Sequence, residues 1–398
     1  MLVLHPPAPL PPLPPGQTVV LEAGVYRGPW EIRTPGVRLL ARPGAVLDGG
    51  GQGSALTLSA PGIVVEGLEV RNVGLGDDFY EPDAAVVLYR CEGCVVRGLR
   101  ARGVTGGIRV EQSSRAVVEN CTLEGTLAAP GLQAYRSDEV MLRGNRIEGF
   151  LDNLYVEYGE RVVVEHNQLE GAARYGLHLM FTYQAQVRGN HSQRNRVGSA
   201  IMHGAENRVE VNLFAEEVGP LRYGLLLQEE WKTVLRDNHF ARNTIGLLSL
   251  DSRDTRLEAN RFSSNGTALL FARNTDQNAL NATGNTFVGN LHDLAVDDPR
   301  ARVVLKGNAF DRAAPLPIPH LPSSSFALLS ARQPDLSLFA LSPGVVLWKA
   351  AEARVPGLRL LALADLEARP AVPPATQVAP GWLGLAFLSL LGGLWLRS

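Results

Sequence analysis

Short apolar strands, each followed by an asparagine, recur along most of the chain. Within a strand, apolar and charged positions alternate, as in "VVEHN" and "VLRDN". The asparagines return at intervals of 22 to 26 residues, at Asn145, Asn167, Asn190, Asn212, Asn238, Asn260, Asn285 and Asn308. A fixed period of this length is the signature of a repeat architecture, so the pattern predicts a solenoid.

The same pattern extends toward the N-terminus, where Leu68, Leu99 and Cys121 take the place of the asparagine. Strands of three to six residues between Gly and Asn turns predict an all-β fold, a right-handed parallel β-helix of about ten to eleven coils. Inward Asn side chains of successive coils are expected to hydrogen-bond as a ladder. A leucine-rich-repeat horseshoe has a similar period, but its leucine skeleton and its helix in each repeat are missing.

The departures from the repeat predict four regions. Residues 1–15 form a Pro-rich N-terminal arm that caps the first coil, and residues 16–310 form the β-helix. Residues 311–378 break the repeat and form a cap or docking segment, with a short helix over 345–354 that begins at Ser342-Pro343. Residues 379–398 are an apolar C-terminal helix between Trp382 and Trp395, long enough to be a transmembrane anchor.

Charge and cysteine content restrict the function further. The formal net charge is −2, with 38 basic and 40 acidic side chains and no basic stripe, which argues against nucleic acid as a partner. Three cysteines are too few for a disulfide framework. Cys91 and Cys94 are spaced like a redox or metal pair, but we expect Cys94, at the start of a strand, and Cys121, in an inward ladder position, to behave as small apolar residues. The first residues lack the basic region of a secretory signal.

A Met and His cluster is the strongest candidate for chemistry. Aligning the repeats places Met180 beside Met202 and Phe181 over His203. With Leu179 and Ile201 pointing inward, the alternation of a strand predicts that His178 and Met180 point outward. Thioether and imidazole groups favour copper(I), so a transient copper site is predicted at His178, Met180, Met202 and His203.

Aromatic and polar residues around this cluster equally suit a protein interface. An acidic insertion, "GLGDDFYEPD", lengthens the coil between Leu68 and Leu99 to about 31 residues and is a second candidate, because long loops on a regular scaffold often carry function. The predicted partner-binding residues are Tyr155, Tyr158, Tyr175, Phe181, Tyr183, Tyr223, Gln228, Glu229, Asp77 and Asp78.

Carbohydrate chemistry is the alternative function. Polysaccharide lyases, epimerases and hydrolases on β-helices need acidic groups on one sheet, and Asp152, Glu157 and Asp251 recur near the candidate face. The local motifs usual in those enzymes are missing, so no catalytic residue is assigned. A carbohydrate-binding surface protein is a further alternative.

In order and spacing, these motifs resemble the NosD family of nitrous oxide reductase maturation proteins. The resemblance lies in "GAVLDGGGQG", "APGIVVEGLEVRNVG", the acidic insertion, "RYGLHLMFTYQAQVRGN", "GSAIMHGAENRVEVN" and "YGLLLQEEWKTVLRDN", and it runs from about residue 16 to about residue 310. Gln228-Glu229 stands where many members carry a Lys-Asp pair.

The resemblance implies a periplasmic, non-enzymatic scaffold rather than an enzyme. Its implied partners are the membrane subunit of an ABC transporter, a copper chaperone and the nitrous oxide reductase apoprotein, whose copper centre it helps to assemble. An apolar tail, contacting the membrane, is unusual for a soluble member of that family.

Overall fold

The computed structural model describes residues 1–220, 222–272, 279–297, 302–311, 324–339, 342–355, 365 and 367–371. Three long parallel sheets run the length of the described chain, and each turn of the solenoid contributes one strand to each sheet in the order A, B, C. The predicted parallel β-solenoid is therefore confirmed. Sheet C alone has twelve strands, so ten to eleven coils was an undercount. The count from the repeat began at Leu68 and therefore missed the coils that contain Gly24–Arg27 and Ala45–Asp48.

The strands are short and evenly spaced. Sheet A consists of Leu2–Leu4, Thr18–Leu21, Arg38–Ala41, Val64–Glu66, Val95–Arg97, Val117–Glu119, Met141–Arg143, Val163–Glu165, Gln186–Arg188, Arg208–Glu210, Val234–Arg236, Thr255–Glu258, Ala279–Thr283 and Arg302–Lys306. Sheet B consists of Gly24–Arg27, Ala45–Asp48, Glu69–Arg71, Arg100–Val104, Thr122–Gly125, Arg146–Glu148, Gln168–Glu170, His191–Gln193, Leu213–Ala215, His239–Ala241, Arg261–Ser263, Thr286–Val288, Ala309–Phe310 and Arg369–Pro370. Sheet C consists of Trp30–Ile32, Leu56–Leu58, Ala84–Tyr89, Gly106–Glu111, Leu132–Tyr135, Leu154–Glu157, Tyr175–Met180, Gly198–Met202, Tyr223–Gln228, Ile245–Leu250, Thr267–Ala272 and His292–Val296.

The asparagine ladder forms as predicted. Asn167 is fully buried, its backbone N–H and Nδ2 both donate to Asn190 Oδ1 (3.0 and 2.9 Å), and Nδ2 also donates to the carbonyl of Leu142 (2.9 Å). The same bonds recur from Asn145 to Asn308. Each amide thus satisfies backbone groups at a sharp corner that no strand partner reaches.

A second ladder lies five residues further along each coil and was not predicted. Asn243, Asn265 and Asn290 repeat the geometry of the first ladder at the corner between sheets B and C. A column of stacked phenylalanines lies between the two ladders, with ring centroids 4.8 to 5.3 Å apart, at Phe214, Phe240, Phe262, Phe287 and Phe310. Columns of amide and aromatic side chains therefore run through the interior parallel to the solenoid axis.

Charges alternate along the outer face of sheet A. Direct pairing of neighbouring strands places Arg97 between Glu66 and Glu119. The alternation continues along the sheet in the order Glu66, Arg97, Glu119, Arg143, Glu165, Arg188, Glu210, Arg236 and Glu258. Because each charge faces an opposite charge on the next strand, this face balances its own charges.

Both ends of the solenoid have covering elements. Leu10 and Leu13 of the Pro-rich run pack against the end of the core. Leu2–Leu4 already pairs with sheet A, so the first strand precedes that run rather than following it. At the other end, α1 (Ser325–Arg332) and α2 (Pro343–Arg354) flank a 3-10 helix, Pro334–Phe339, and Ser342 caps α2 as predicted. The predicted anchor, residues 379–398, lies outside the described residues.

The cysteines differ from the prediction. Cys91 and Cys94 form a disulfide bond with a sulfur–sulfur distance of 2.08 Å, at the turn that leads from sheet C into the next strand of sheet A. Their Cα atoms are 5.6 Å apart, within the range that a disulfide needs, and spacing in the sequence does not reveal such closeness. The expectation that Cys94 is an independent apolar residue was therefore wrong. Cys121 is a buried free thiol in the ladder position, as predicted.

Candidate functional site

The two methionines meet on the outer face of sheet C. Met180 and Met202 are direct partners on neighbouring parallel strands, about 4.8 Å apart as strand spacing requires. Leu179 and Ile201, which precede them, are fully buried in the core, while both methionines are half-buried outside. The predicted placement of the pair is confirmed.

A column of rings follows at the next position of each coil. Phe181 stacks on Tyr158 with centroids 4.9 Å apart and on His203 at 5.1 Å. All three residues have positive φ, between 51° and 57°, so the chain leaves sheet C in the same way at each of them. Their rings therefore lie in one column parallel to the solenoid axis. His203 Nδ1 also lies 3.3 Å from Glu229 Oε2. The predicted vertical contact of Phe181 with His203 is thus confirmed.

His178 is held by a buried carboxylate that sequence reasoning did not place beside it. His178 Nδ1 lies 2.8 Å from Asp152 Oδ2, and Arg174 Nε donates to Asp152 Oδ1 at 2.7 Å. Burial alone would raise the pKa of Asp152, but hydrogen bonds and charge from Arg174 and His178 outweigh it and hold that pKa below its ordinary value. An ionised Asp152 orients the imidazole by accepting a hydrogen bond from the Nδ1–H of His178.

This orientation leaves the other ring nitrogen as the electron-pair donor. His178 Nε2 is buried and has no hydrogen-bond partner among the described residues. The His178 ring lies between those of Tyr155 and Tyr175, at centroid distances of 4.9 and 4.7 Å. A carboxylate behind one nitrogen and a free lone pair on the other is the usual arrangement of a histidine that binds a metal.

Tyr155 connects the histidine to the methionines. Its hydroxyl donates to Glu157 Oε2 at 2.6 Å and lies 4.0 Å from Met180 Sδ. Burial, with a smaller contribution from Glu157, raises the pKa of Tyr155 well above its ordinary range. The tyrosine therefore stays neutral and serves as a hydrogen-bond donor beside the thioether.

The predicted partner-binding residues divide into an exposed and a buried set. Tyr158 and Tyr183 are nearly half exposed, at 45% and 44%, and so is Trp231, at 48%, which the sequence analysis did not single out. Tyr155 and Tyr223 are buried and are not available as surface. The bridges from Tyr183 through Ala205 to Trp231 place these two exposed rings two coils apart in one file.

The remaining predicted residues lie beside the methionines or on the insertion. Gln228 is the strand partner of Met202, and Glu229 follows it at the turn. Asp78 Oδ1 accepts the N–H groups of Tyr80 and Glu81 (2.9 and 3.0 Å), which folds the insertion into a compact turn next to Asp77. The insertion lies over sheet C, because the Phe79 ring meets that of Tyr155 at 4.9 Å.

The donor set fits copper(I) better than a harder ion. Among the described residues, no group of three or more His, Cys, Asp and Glu side chains is arranged to hold a metal. Sulfur from Met180 and Met202, with imidazole from His178 or His203, is instead the soft combination that selects copper(I).

Among the described residues, no helix is long and apolar enough to cross a membrane.

Comparisons with known proteins show a similarity in the region that contains this site. Residues 125–308 match the family model described as "Periplasmic copper-binding protein (NosD)". Two curated relatives, each a "Probable ABC transporter binding protein NosD", match over 106 residues, at 42% identity for that of Pseudomonas aeruginosa and 35% for that of Stutzerimonas stutzeri. Each match covers 26% of this chain and 24% of the relative, about a quarter of either length.

Solved structures share the fold. A mutant of the periplasmic alginate epimerase AlgG superposes with a TM-score of 0.56 over 75% of this chain and 78% of that chain, at 13% identity. PfbA, a surface adhesin of Streptococcus pneumoniae, superposes with a TM-score of 0.50 over 74% of this chain and 86% of that chain, at 10% identity. An enzyme and an adhesin at such low identity establish the β-helix architecture alone.

Proposed function

We propose a function that starts from the match of residues 125–308 to the NosD family model. The chain is a non-enzymatic scaffold on the periplasmic side of the membrane, and it takes part in assembling the copper centre of nitrous oxide reductase. It works with an ABC transporter, whose membrane subunit it contacts, and it receives copper(I) from a copper chaperone as cargo. The names of the similar family and of its curated relatives support the copper and transporter parts of this role.

The observation that carries the proposal is the Met180 and Met202 pair beside an oriented histidine. The two thioethers are strand partners, so the sheet itself fixes their separation. His178 offers Nε2 two residues from Met180, because Asp152 accepts at Nδ1. A few soft donors on a half-buried face suit an ion that is taken up and passed on, since a closed four-ligand site would retain it.

A copper(I) titration against a competing chelator tests the site directly. The Met180→Ala, Met202→Ala double variant should bind copper(I) at least tenfold more weakly than the wild type, because it loses both thioether ligands. Met141→Ala is the matched control, since Met141 is a half-buried methionine on the outer face of sheet A. Equal affinities of the double variant and the wild type would eliminate this site.

The disulfide supports the periplasmic location independently of the family. Disulfides persist in oxidising compartments such as the bacterial periplasm and are rare in the cytosol. Cys91 and Cys94 are both fully buried, so their bond is part of the folded coil and not an exposed redox pair. The chain is therefore assigned to an oxidising compartment.

Docking is assigned to the exposed aromatic surface of Tyr158, Tyr183 and Trp231, next to the copper donors. The outer face of sheet A balances its own charges and offers no such rings, whereas exposed aromatics are enriched at interfaces. The Tyr158→Ala, Tyr183→Ala double variant should lose co-purification with the ABC transporter complex or the nitrous oxide reductase apoprotein. Arg102→Ala, exposed on the outer face of sheet B, is the control. Wild-type recovery of both partners by the aromatic variant would contradict this docking surface.

A polysaccharide lyase, epimerase or hydrolase is the second candidate function. The buried Asp152 and His178 pair is the one feature that favours it, because a carboxylate and an imidazole can serve acid and base chemistry. Asp152 is, however, already engaged by Arg174 and His178 and has no exposed surface. Product release from uronate and galactan polymers, repeated with Asp152→Ala and Asp251→Ala, decides between the two functions, and no release by the wild type removes this candidate.

A further inference from the structure

Four side chains form a row beneath the acidic insertion, one on each of four successive strands of sheet C. Arg109 pairs with Gln133, Gln133 with Tyr155, and Tyr155 with His178. Gln133 and Tyr155 are almost fully buried although they lie on the outer face, because residues 79–80 of the insertion cover them. The row runs along the solenoid axis and the insertion lies over it, and we refer to this row as the groove.

The groove has hydrogen-bonding capacity that the insertion does not use. Arg109 Nε and Gln133 Oε1 are both buried and make no hydrogen bond to the described residues, and Arg109 Nε lies 3.9 Å from Glu111 Oε2, an ion pair too long for a hydrogen bond. Buried polar groups are nearly always paired in folded proteins, so two unpaired atoms on adjacent strands call for an explanation. A donor next to an acceptor is what a peptide backbone would satisfy.

The insertion already lies in the groove in the manner of a bound peptide. Gln133 Nε2 donates to the carbonyl of Phe79 at 3.2 Å, and an Arg109 guanidinium N–H donates to the carbonyl of Tyr80 at 3.3 Å. The Phe79 and Tyr155 rings meet edge-on, with centroids 4.9 Å apart. The guanidinium carbon of Arg174 lies 4.9 Å from the centroid of the Phe79 ring. Backbone carbonyls and one aromatic ring are therefore the groups that this groove recognises.

The insertion does not satisfy all the hydrogen-bonding groups of the groove. A primary amide recognises a peptide backbone with one N–H and one C=O, and Gln133 uses only its N–H here. The N–H groups of Tyr80 and Glu81, which are next to the accepted carbonyls, both donate to Asp78 Oδ1 instead. A segment whose backbone N–H groups are free would make the additional bond and would compete with the insertion.

We infer that this groove binds an extended segment of a partner protein that carries an aromatic side chain, and that the insertion leaves the groove when the segment enters. The inference rests on the proposed docking role, for which it names the chemistry of the docked segment. Gln133 makes both amide bonds to the backbone of that segment, Arg109 accommodates a further carbonyl, and Tyr155 receives the aromatic ring.

The test uses a chain in which residues 77–82 are replaced by a short Gly-Ser linker, and as probes the synthetic peptide GDDFYEP, residues 76–82, and its Asp78→Ala counterpart. The shortened chain should bind the first peptide, and the full chain at least tenfold more weakly, because its own insertion occupies the groove. The Asp78→Ala peptide should bind the shortened chain about threefold to tenfold more tightly, since it releases two N–H groups for Gln133. Isothermal titration calorimetry measures all three affinities.

Gln133→Ala in the shortened chain should weaken peptide binding at least tenfold. Gln186→Ala, an exposed glutamine on the outer face of sheet A, is the matched control and should leave it unchanged. If the shortened chain does not fold, as judged by circular dichroism and urea unfolding, the full-length Phe79→Ala variant takes its place, and it should gain affinity for the peptide over the wild type. Failure of a folded variant to bind either peptide overturns the inference, as does binding of linear oligosaccharides in their place.

Copper(I) titration of the same shortened chain separates this inference from the proposed function. Copper binding through Met180 and Met202 without peptide binding removes only the groove proposal. Peptide binding without copper affinity supports the groove and counts against the copper role alone.

Discussion

Glu217 occupies the same position of the second ladder that Asn243 occupies in the next coil. The backbone N–H of Glu217 donates to Asn243 Oδ1 at 3.0 Å. Its side chain is buried, with Oε1 accepting from Asn195 at 3.1 Å and Oε2 without a partner among the described residues. Burial raises the pKa of Glu217 to about 8. A protonated carboxyl has a donor and an acceptor, as an amide has, and here Oε1 takes the place of the Asn side-chain oxygen toward Asn195.

Stability should therefore fall with rising pH over the window set by Glu217. Between the ordinary value of 4.5 and about 8, the unfolded chain gives up this proton while the folded chain keeps it, so unfolding becomes easier. Glu217→Gln should reduce that slope, leaving the part due to buried Glu230, whose pKa is also raised by desolvation, and should stabilise the protein at pH 8 by a few kcal/mol, since one pKa unit corresponds to about 1.4 kcal/mol. Urea unfolding at pH 5 to 8 measures it. Glu69→Gln, exposed on sheet B, should keep the wild-type slope, and the same slope in the Glu217 variant would contradict the prediction.

Removing one amide from the middle of the first ladder should weaken the solenoid strongly. Asn212→Ala deletes the bonds from Nδ2 to Val187 and Asn238 and leaves the N–H of Asn190 without an acceptor. Leaving buried groups unpaired costs about 1–3 kcal/mol each, so we expect a loss of about 2–5 kcal/mol in the free energy of unfolding. Gln168→Ala on the exposed face of sheet B should cost less than about 0.5 kcal/mol. A change below about 1 kcal/mol for Asn212→Ala would show that the ladder contributes little.

Thiol counting tests the disulfide and the buried thiol together. Iodoacetamide should modify no cysteine in the folded protein, because Cys121 is buried and desolvation raises its pKa to about 12. Unfolding without reductant should expose one reactive thiol, and unfolding with reductant should expose all three cysteines of the chain. Mass spectrometry reads the three states directly. Three thiols in protein unfolded without reductant would mean that Cys91 and Cys94 are not bonded.

The alternating charges of sheet A should tolerate reversal at an end better than in the middle. Glu119 lies between Arg97 and Arg143, at 2.5 and 2.6 Å, and its side chain is almost fully buried. Glu119→Lys places three like charges in a row and should destabilise the protein by about 2–4 kcal/mol, less at high salt. Glu258→Lys, paired with Arg236, should cost under about half as much. Equal, salt-independent losses in urea unfolding would contradict a charge effect.

The sequence predicted what a vertical repeat dictates. In an in-register parallel solenoid, an offset of one coil in the sequence becomes a contact in space, which is why the ladder from Asn145 to Asn308 and the Met180 and Met202 pair were correctly placed. The second ladder had the same signal, an Asn five residues after the first, at Asn243 and Asn265. The pattern of the second ladder is interrupted at Glu217, because an acid occupies the ladder position of that coil in place of an asparagine.

Contacts that cross between columns were not predictable in this way. Asp152 precedes its strand of sheet C, and it reaches His178 around a corner that the repeat does not encode. The insertion breaks the period, so nothing in its sequence fixes Phe79 against Tyr155 or the carbonyls of residues 79–80 against Gln133 and Arg109. Cys91 and Cys94 depend likewise on the path of a turn.

Asp365 sets the length of the first ladder. It accepts from the N–H and Nδ2 of Asn308, at 3.0 and 2.8 Å, in the place where another coil would supply an asparagine. A carboxylate oxygen accepts hydrogen bonds and does not donate them, so the column of amide donors ends at this residue. Among the described residues, the first ladder therefore ends at Asp365, and a strand of a second molecule would find no amide there to continue it.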